Sequence, residues 1–179
     1  MTYPELQIQL DLNPDNRVSV LENVDTCQIT RHGFISYSYL FVDSKDGQCY
    51  LFDEDGHKDD ISKVKEIGAW TFEHYESLIS IKIPNSVESI GGRAFYYCIS
   101  LTSIKIPSSV KSIGSYAFDN CTSLTSISIS DSVKNIGNYA FVNCTSLKEV
   151  VFKGKTIDQV KAMENYPWGI EDESVIKCK

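Results

Sequence analysis

Leucine and isoleucine return along this chain at an even spacing. Leu78, Leu101, Leu124 and Leu147 stand 23 residues apart; Ile81, Ile104, Ile127 and Val150 follow three positions later, and Ile83, Ile106, Ile129 and Phe152 two beyond that. The L-x-x-I-x-I alternation predicts a short strand with one apolar face in each copy. Pro84, Pro107 and Ser130 come next, and proline, which has no ladder N–H to give, marks the end of such a strand. A second apolar pair, Val87/Ile90, Val110/Ile113 and Val133/Ile136, runs into Gly91, Gly114 and Gly137, as Val64/Ile67 runs into Gly68. These glycines are expected to hold a backbone conformation that a Cβ would penalise.

Three units align without gaps: LISIKIPNSVESIGGRAFYYCIS from Leu78, LTSIKIPSSVKSIGSYAFDNCTS from Leu101 and LTSISISDSVKNIGNYAFVNCTS from Leu124. A weaker unit fills Asp55 to Ser77 in the same register, and a partial one starts at Leu147 with LKEVVFKG. A unit of this length cannot bury both apolar stripes alone, whereas stacked copies share a continuous core. The expected architecture is a β-dominated solenoid of parallel short strands, about 4.8 Å apart.

The combination L-x-x-I-x-I-P, then V-x-x-I-G-x-x-A-F-x-x-C-x-x-L, resembles the BspA-like, treponemal-type class of leucine-rich repeat over about residues 61 to 152. Asp55 replaces the first leucine of the weak unit, Thr71 its alanine and Tyr75 its cysteine, and Ser130 replaces a proline. The resemblance implies a leucine-rich repeat solenoid that serves as a binding surface, displayed on cells in some members and intracellular or carried on mobile elements in others. It does not imply an enzyme.

A solenoid has two ends to cover. Around Asp46-Gly47 two aromatic-rich runs, FISYSYLFV and CYLF, carry a hairpin signal, and residues 1–54 are expected to form an N-terminal acidic, β-rich cap. The solenoid takes residues 55–152, about four 23-residue units and a partial one. A C-terminal, helix-containing cap takes 153–179: Thr156 to Gln159 spells a T-x-x-Q capping box, Ile157, Val160 and Met163 recur on one helical face, and Tyr166 and Trp168 flank Pro167. All five apolar and aromatic side chains are expected to pack on the last coil.

The formal charge is -7, and it is unevenly spread. Residues 1–60 hold 4 basic and 12 acidic side chains; residues 61–150 hold 8 and 7, and 151–179 hold 5 and 5. So acidic a chain disfavours direct nucleic-acid binding. No apolar run approaches the roughly 18 residues of a spanning helix, so no membrane insertion is expected. The opening MTYPELQIQLDLNPDN lacks a secretory pattern, which points to the cytoplasm, or to secretion or surface display if a leader was trimmed.

Cys98, Cys121 and Cys144 occupy one column of the repeat. A straight column offers zinc no tetrahedral set, and small buried thiols suit an interior slot. His74 would neighbour Cys98, but a buried thiol is a poor nucleophile; His32 and His57 lie outside the regular units. DEDGHKDD, from Asp53, fails the calcium-loop register, because Gly56 at the sixth position puts Leu51 first and Ser62 twelfth. No catalytic residue, metal ligand or cofactor is expected.

The unrepeated letters carry the functional reading. Just before the Ala/Thr of each corner stand Trp70, Arg93, Tyr116 and Tyr139, a column expected to face outward as a stripe about 15 Å long. Tryptophan, tyrosine and arginine are the side chains most enriched at interface hot spots. The strand face offers a second surface, Ser80/Lys82 and Ser103/Lys105, continued by Ser126/Ser128 and Glu149/Val151. The favoured reading is a non-enzymatic module that binds another protein through one or both, with a monomer favoured. The alternative is an intracellular inhibitor, possible cargo of a mobile element or phage, whose acidic N-terminal lobe blocks the basic groove of a nucleic-acid-handling enzyme.

Overall fold

The computed structural model describes Gly47, Ser62 and residues 64–179, and in the preceding segment six strands: β1 (Val18–Ser19), β2 (Gln28–Arg31), β3 (Phe34–Tyr37), β4 (Tyr39–Asp43), β5 (Cys49–Phe52) and β6 (Lys58–Asp59). The expected hairpin is present. β4 and β5 pair antiparallel across Gly47, whose φ of 71° suits a glycine turn, and β1 and β6 extend their sheet to the order β1-β4-β5-β6. β2 and β3 pair separately. The acidic lobe as a whole, the acidic turn from Asp53, His32, His57 and the start of the weak unit at Asp55 lie outside the described residues.

From residue 64 the chain coils. Two parallel sheets run side by side through the stack. One is built from the L-x-x-I-x-I segments, β9 (Ser103–Lys105), β11 (Ser126–Ile129) and β13 (Glu149–Phe152), closed by β14 (Ile176–Cys178). The other comes from the second apolar pair: β7 (Glu66–Ile67), β8 (Ser89–Ile90), β10 (Ser112–Ile113) and β12 (Asn135–Ile136). Register follows the repeat, with Ile104, Ile127, Val150 and Ile176 in one row and Ile67, Ile90, Ile113 and Ile136 in another. Both rows are buried, because period-2 alternation puts every second side chain inside. In the first unit only Lys82 forms a bridge where a strand was expected. Its N–H donates to the Gly47 carbonyl at 2.7 Å, so the neighbour there is a hairpin turn and offers no strand to pair with.

The corner between the sheets has its own ladder. Phe72, Phe95 and Phe118 donate their N–H groups to the carbonyls of Ala94, Ala117 and Ala140 in the next coil, each at 2.8 Å. Their rings, with Phe141, stack parallel through the core at centroid spacings of 5.1, 5.1 and 5.6 Å. A side chain repeated once per coil thus meets its own copy at close to the strand spacing.

The glycine column needs a correction. Gly91, Gly114 and Gly137 do not have the left-handed φ a conformational explanation would require; they are glycines because the neighbouring coil's backbone leaves no room. A Cβ at Gly137 would fall 2.3 Å from the Ser115 nitrogen.

At the C-terminal end the helix α1 (Ile157–Lys161) starts at the expected capping box: Thr156 Oγ1 accepts from the Gln159 N–H at 3.3 Å and Gln159 Oε1 accepts from the Thr156 N–H at 2.9 Å. Val160 and Trp168 are buried, and Met163 and Tyr166 pack beside them. Ile157 is the exception, 42% exposed. Positions three apart on a helix point about 60° away from each other, so this short helix turns Val160 inward and Ile157 out. The Trp168 carbonyl accepts from the Phe141 N–H at 3.0 Å, standing where an alanine carbonyl stands in earlier coils. Asn165 Nδ2 donates to the Ile136 carbonyl at 3.1 Å and covers the open edge of β12. β14, which pairs with β13 from Val150↔Ile176 to Phe152↔Cys178, went unread in the sequence because it lacks the repeat's letters.

Candidate functional site

Two αL residues in each unit shape the corner. Trp70, Arg93, Tyr116 and Tyr139 have φ between 56° and 59°, and four residues later His74, Tyr97, Asn120 and Asn143 have φ between 57° and 59°. This conformation turns backbone N–H groups along the stack. Trp70, Arg93 and Tyr116 donate to the carbonyls of Gly92, Ser115 and Asn138 at 3.0–3.1 Å. His74, Tyr97 and Asn120 donate to Tyr96, Asp119 and Val142 at 2.7–3.1 Å. The geometry accounts for asparagine at two positions of the second column, since asparagine tolerates αL. It does not account for tryptophan, arginine and tyrosine in the first.

Those four side chains form the expected outward column. Trp70 is 58% exposed and Tyr139 53%, Arg93 is exposed, and Tyr116 is half-buried. Tyr116 and Tyr139 stack at 5.5 Å, and the Arg93 guanidinium lies 5.6 Å from the ring centroids of both Tyr96 and Tyr116. His74 and Tyr97 stack at 4.9 Å, and Tyr96 and Tyr97 meet at 4.8 Å. The surface is therefore wider than the single column read from sequence. Tyr96 and Tyr97 were overlooked because in later units their positions hold Asp119, Asn120, Val142 and Asn143.

Asp119 is buried at the base of this patch, its Oδ1 accepting from Asn120 Nδ2 at 2.7 Å and Asn143 Nδ2 at 3.1 Å. Burial pushes its carboxyl above the usual range, and the amide of Asn143 pulls the other way.

On the strand face, Lys82, Ser103 and Lys105 are exposed, while Ser80, Ser126, Ser128 and Glu149 are half-buried. Ser80 lies against Gly47, where an added Cβ would come 2.9 Å from its carbonyl oxygen. Val151, expected on this surface, is buried; in β13 it is flanked in register by Ser128 and Lys177. Glu149 is tied to Lys179 at 2.9 Å.

The cysteine column is interior packing. Cys98, Cys121 and Cys144 are buried, and each thiol donates at 3.1 Å to a phenylalanine carbonyl, of Phe72, Phe95 and Phe118. Burial pushes the Cys98 and Cys144 thiols up to about 12 and raises that of Cys121 as well. The thiolate is the reactive form. With a maleimide at pH 8, these three are expected to stay unlabelled in the native chain while half-buried Cys178 reacts. Mass spectrometry of the labelled peptides reads the outcome; rapid native labelling of Cys121 would show the column to be open. His74 stacks on Tyr97 while the Cys98 thiol donates to the Phe72 carbonyl, so these two do not form a Cys-His pair. Among the described residues, no group of three His, Cys, Asp or Glu side chains is placed to hold a metal ion, and no helix is long and apolar enough to cross a membrane.

The family description "BspA type leucine rich repeat region" matches residues 61–165, in six copies. This chain belongs to the BspA-type leucine-rich repeat family. Its fold is similar to that of a leucine-rich repeat protein from Bacteroides ovatus, with a TM-score of 0.56 and 36% identity, covering 64% of this chain and 28% of that one. A leucine-rich repeat protein from Eubacterium ventriosum gives a TM-score of 0.53 at 26% identity, over 76% of this chain and 38% of its own. The BspA-type chain thus spans well under half the length of either. No curated protein matches it.

Proposed function

We propose that the chain is a non-enzymatic recognition module that binds a partner protein through the Trp70, Arg93, Tyr116 and Tyr139 stripe. Leucine-rich repeat solenoids present extended surfaces to other proteins. The observation that selects this surface is the mismatch between backbone and side chain. An αL residue other than glycine or asparagine costs on the order of 1 kcal/mol, and these four positions hold only bulky side chains. Burial does not repay it at Trp70, which is 58% exposed and stacks on no ring among the described residues. The backbone hydrogen bond to Gly92 accounts for the conformation at Trp70 but not for a large indole left on the surface, which suits a partner that covers it.

Replacing Trp70, Tyr116 and Tyr139 together by asparagine separates this reading from a stabilising ladder. Asparagine relieves the αL strain, and the lost ring contacts contribute about 0.5–1.5 kcal/mol each. The expected result is a melting temperature unchanged or raised, with loss of the protein that the wild-type chain captures from its source cells. A clear fall in melting temperature with capture unchanged would assign the stripe to stability.

A further inference from the structure

We infer that Arg93 is the anchor of the stripe and that the partner segment it captures is an extended, carboxylate-bearing stretch of polypeptide. The inference rests on the stripe being the recognition surface. Arg93 is one of three arginines, with Arg17 and Arg31, in a chain whose other cations are lysines. Its guanidinium lies over Tyr96 of its own coil and Tyr116 of the next. A cation–π contact puts no oxygen acceptor on the guanidinium N–H groups, which leaves them for another ligand.

Those donors have no partner among the described residues. Other cations do find oxygen: Lys111 pairs with Glu88, Lys179 with Glu149, and Lys155 donates to the Asp131 carbonyl. A carboxylate within electrostatic reach of Arg93 is Asp119, and it is buried with two asparagine amides on one oxygen. An exposed arginine whose guanidinium lies 5.6 Å from two ring centroids has less rotamer freedom left to lose. It therefore gives up less on gripping a carboxylate with two parallel hydrogen bonds.

The neighbours define the rest of the ligand. Trp70 and Tyr139 bracket Arg93 and Tyr116 over three coil steps, about 15 Å, which an extended peptide crosses in four or five residues. Tyrosine hydroxyls and the indole N–H add donors along that path. The fitting segment has an Asp or Glu near its centre and apolar or aromatic residues beside it. A phosphate dianion is the poorer match, since among the described residues the patch around Arg93 is formed of Trp70, His74, Tyr96, Tyr97, Tyr116 and Tyr139, none of them an arginine or lysine.

The test uses a phage-displayed library of random dodecapeptides selected on the full chain. Enriched peptides are expected to carry Asp or Glu. A synthetic copy should bind at least tenfold more weakly to Arg93→Lys, which keeps the charge but loses the fork, and to Tyr116→Asn. Changing the peptide's acid to its amide should weaken wild-type binding similarly and the Arg93→Lys variant hardly at all; melting curves confirm that both variants are folded. Peptides without a carboxylate that still need Tyr116 overturn the role of Arg93 and leave the stripe standing. Peptides indifferent to both substitutions, or no enriched peptides, overturn both. Polygalacturonate presents carboxylates on a sugar chain, and Arg93-dependent binding to it that is tighter than to any peptide overturns the polypeptide assignment.

Discussion

Gly114→Ala should lower the melting temperature by about 8–16 °C. The cause is the backbone of the preceding coil. A Cβ at Gly114 would sit 2.4 Å from the Gly92 nitrogen, 2.6 Å from the Gly91 carbonyl carbon and 2.8 Å from the Gly92 Cα. None of these can swing aside as a side-chain tip would. The backbones are also pinned, with Gly91, Gly114 and Gly137 donating to the carbonyls of Ile67, Ile90 and Ile113 at 2.7–2.9 Å. Making room for one methyl group means parting two coils and breaking rungs on either side, which places the loss at about 4 kcal/mol or more. Thermal unfolding followed by circular dichroism reads the shift. A shift under about 2 °C would mean that inter-coil approach is not what holds glycine in this column.

Phe118→Ala should destabilise the chain by about 3–5 kcal/mol, measured by denaturant unfolding. Phe118 is fully buried in the middle of the ring stack, 5.1 Å from Phe95 and 5.6 Å from Phe141 with interplanar angles of 3° and 8°. Truncation leaves a cavity that opens onto both neighbouring coils. In a solenoid each coil is held by its nearest neighbours, so the damage should spread in both directions: amide exchange should accelerate at Phe95 and Phe141 together. A loss under about 1 kcal/mol would mean that the coils close around the gap and that the ladder contributes little.

The two variants also show how much of the fold was legible. The Phe, Cys, Leu and Ile columns were read as interior from their recurrence alone, and Phe95, Phe118, Cys98, Cys121, Leu101, Leu124, Ile104 and Ile127 are all buried. Recurrence is informative because each unit packs against a copy of itself, so one position meets the same surroundings again and again. The glycine column was recognised as constrained, but for the wrong reason. Period and residue type do not separate a strained φ from a close backbone approach. Val151 and Ile157 were misplaced for a related reason, since alternation and helical period describe an ideal element, while burial depends on the strand alongside or on how a short helix is rolled.

The candidate stripe was half legible. Its outward direction followed from variation between fixed neighbours, and Trp70, Arg93, Tyr116 and Tyr139 do stand together. Their left-handed backbone was not foreseen, because tryptophan, arginine and tyrosine carry no αL signal; at Trp70, Arg93 and Tyr116 it goes with a backbone hydrogen bond to the next coil.

The order of the letters establishes the coil, its 23-residue length, the columns that fill the core and the family, all of which depend on contacts between a unit and its own copy. Stacking decides the rest. The spacing set by the backbone ladders excludes a Cβ from Gly114, and the turn of the corner brings Tyr96 and Tyr116 from successive coils to 5.6 Å from the Arg93 guanidinium. Such relations join residues of unlike type across coils, so no repeated letter announces them.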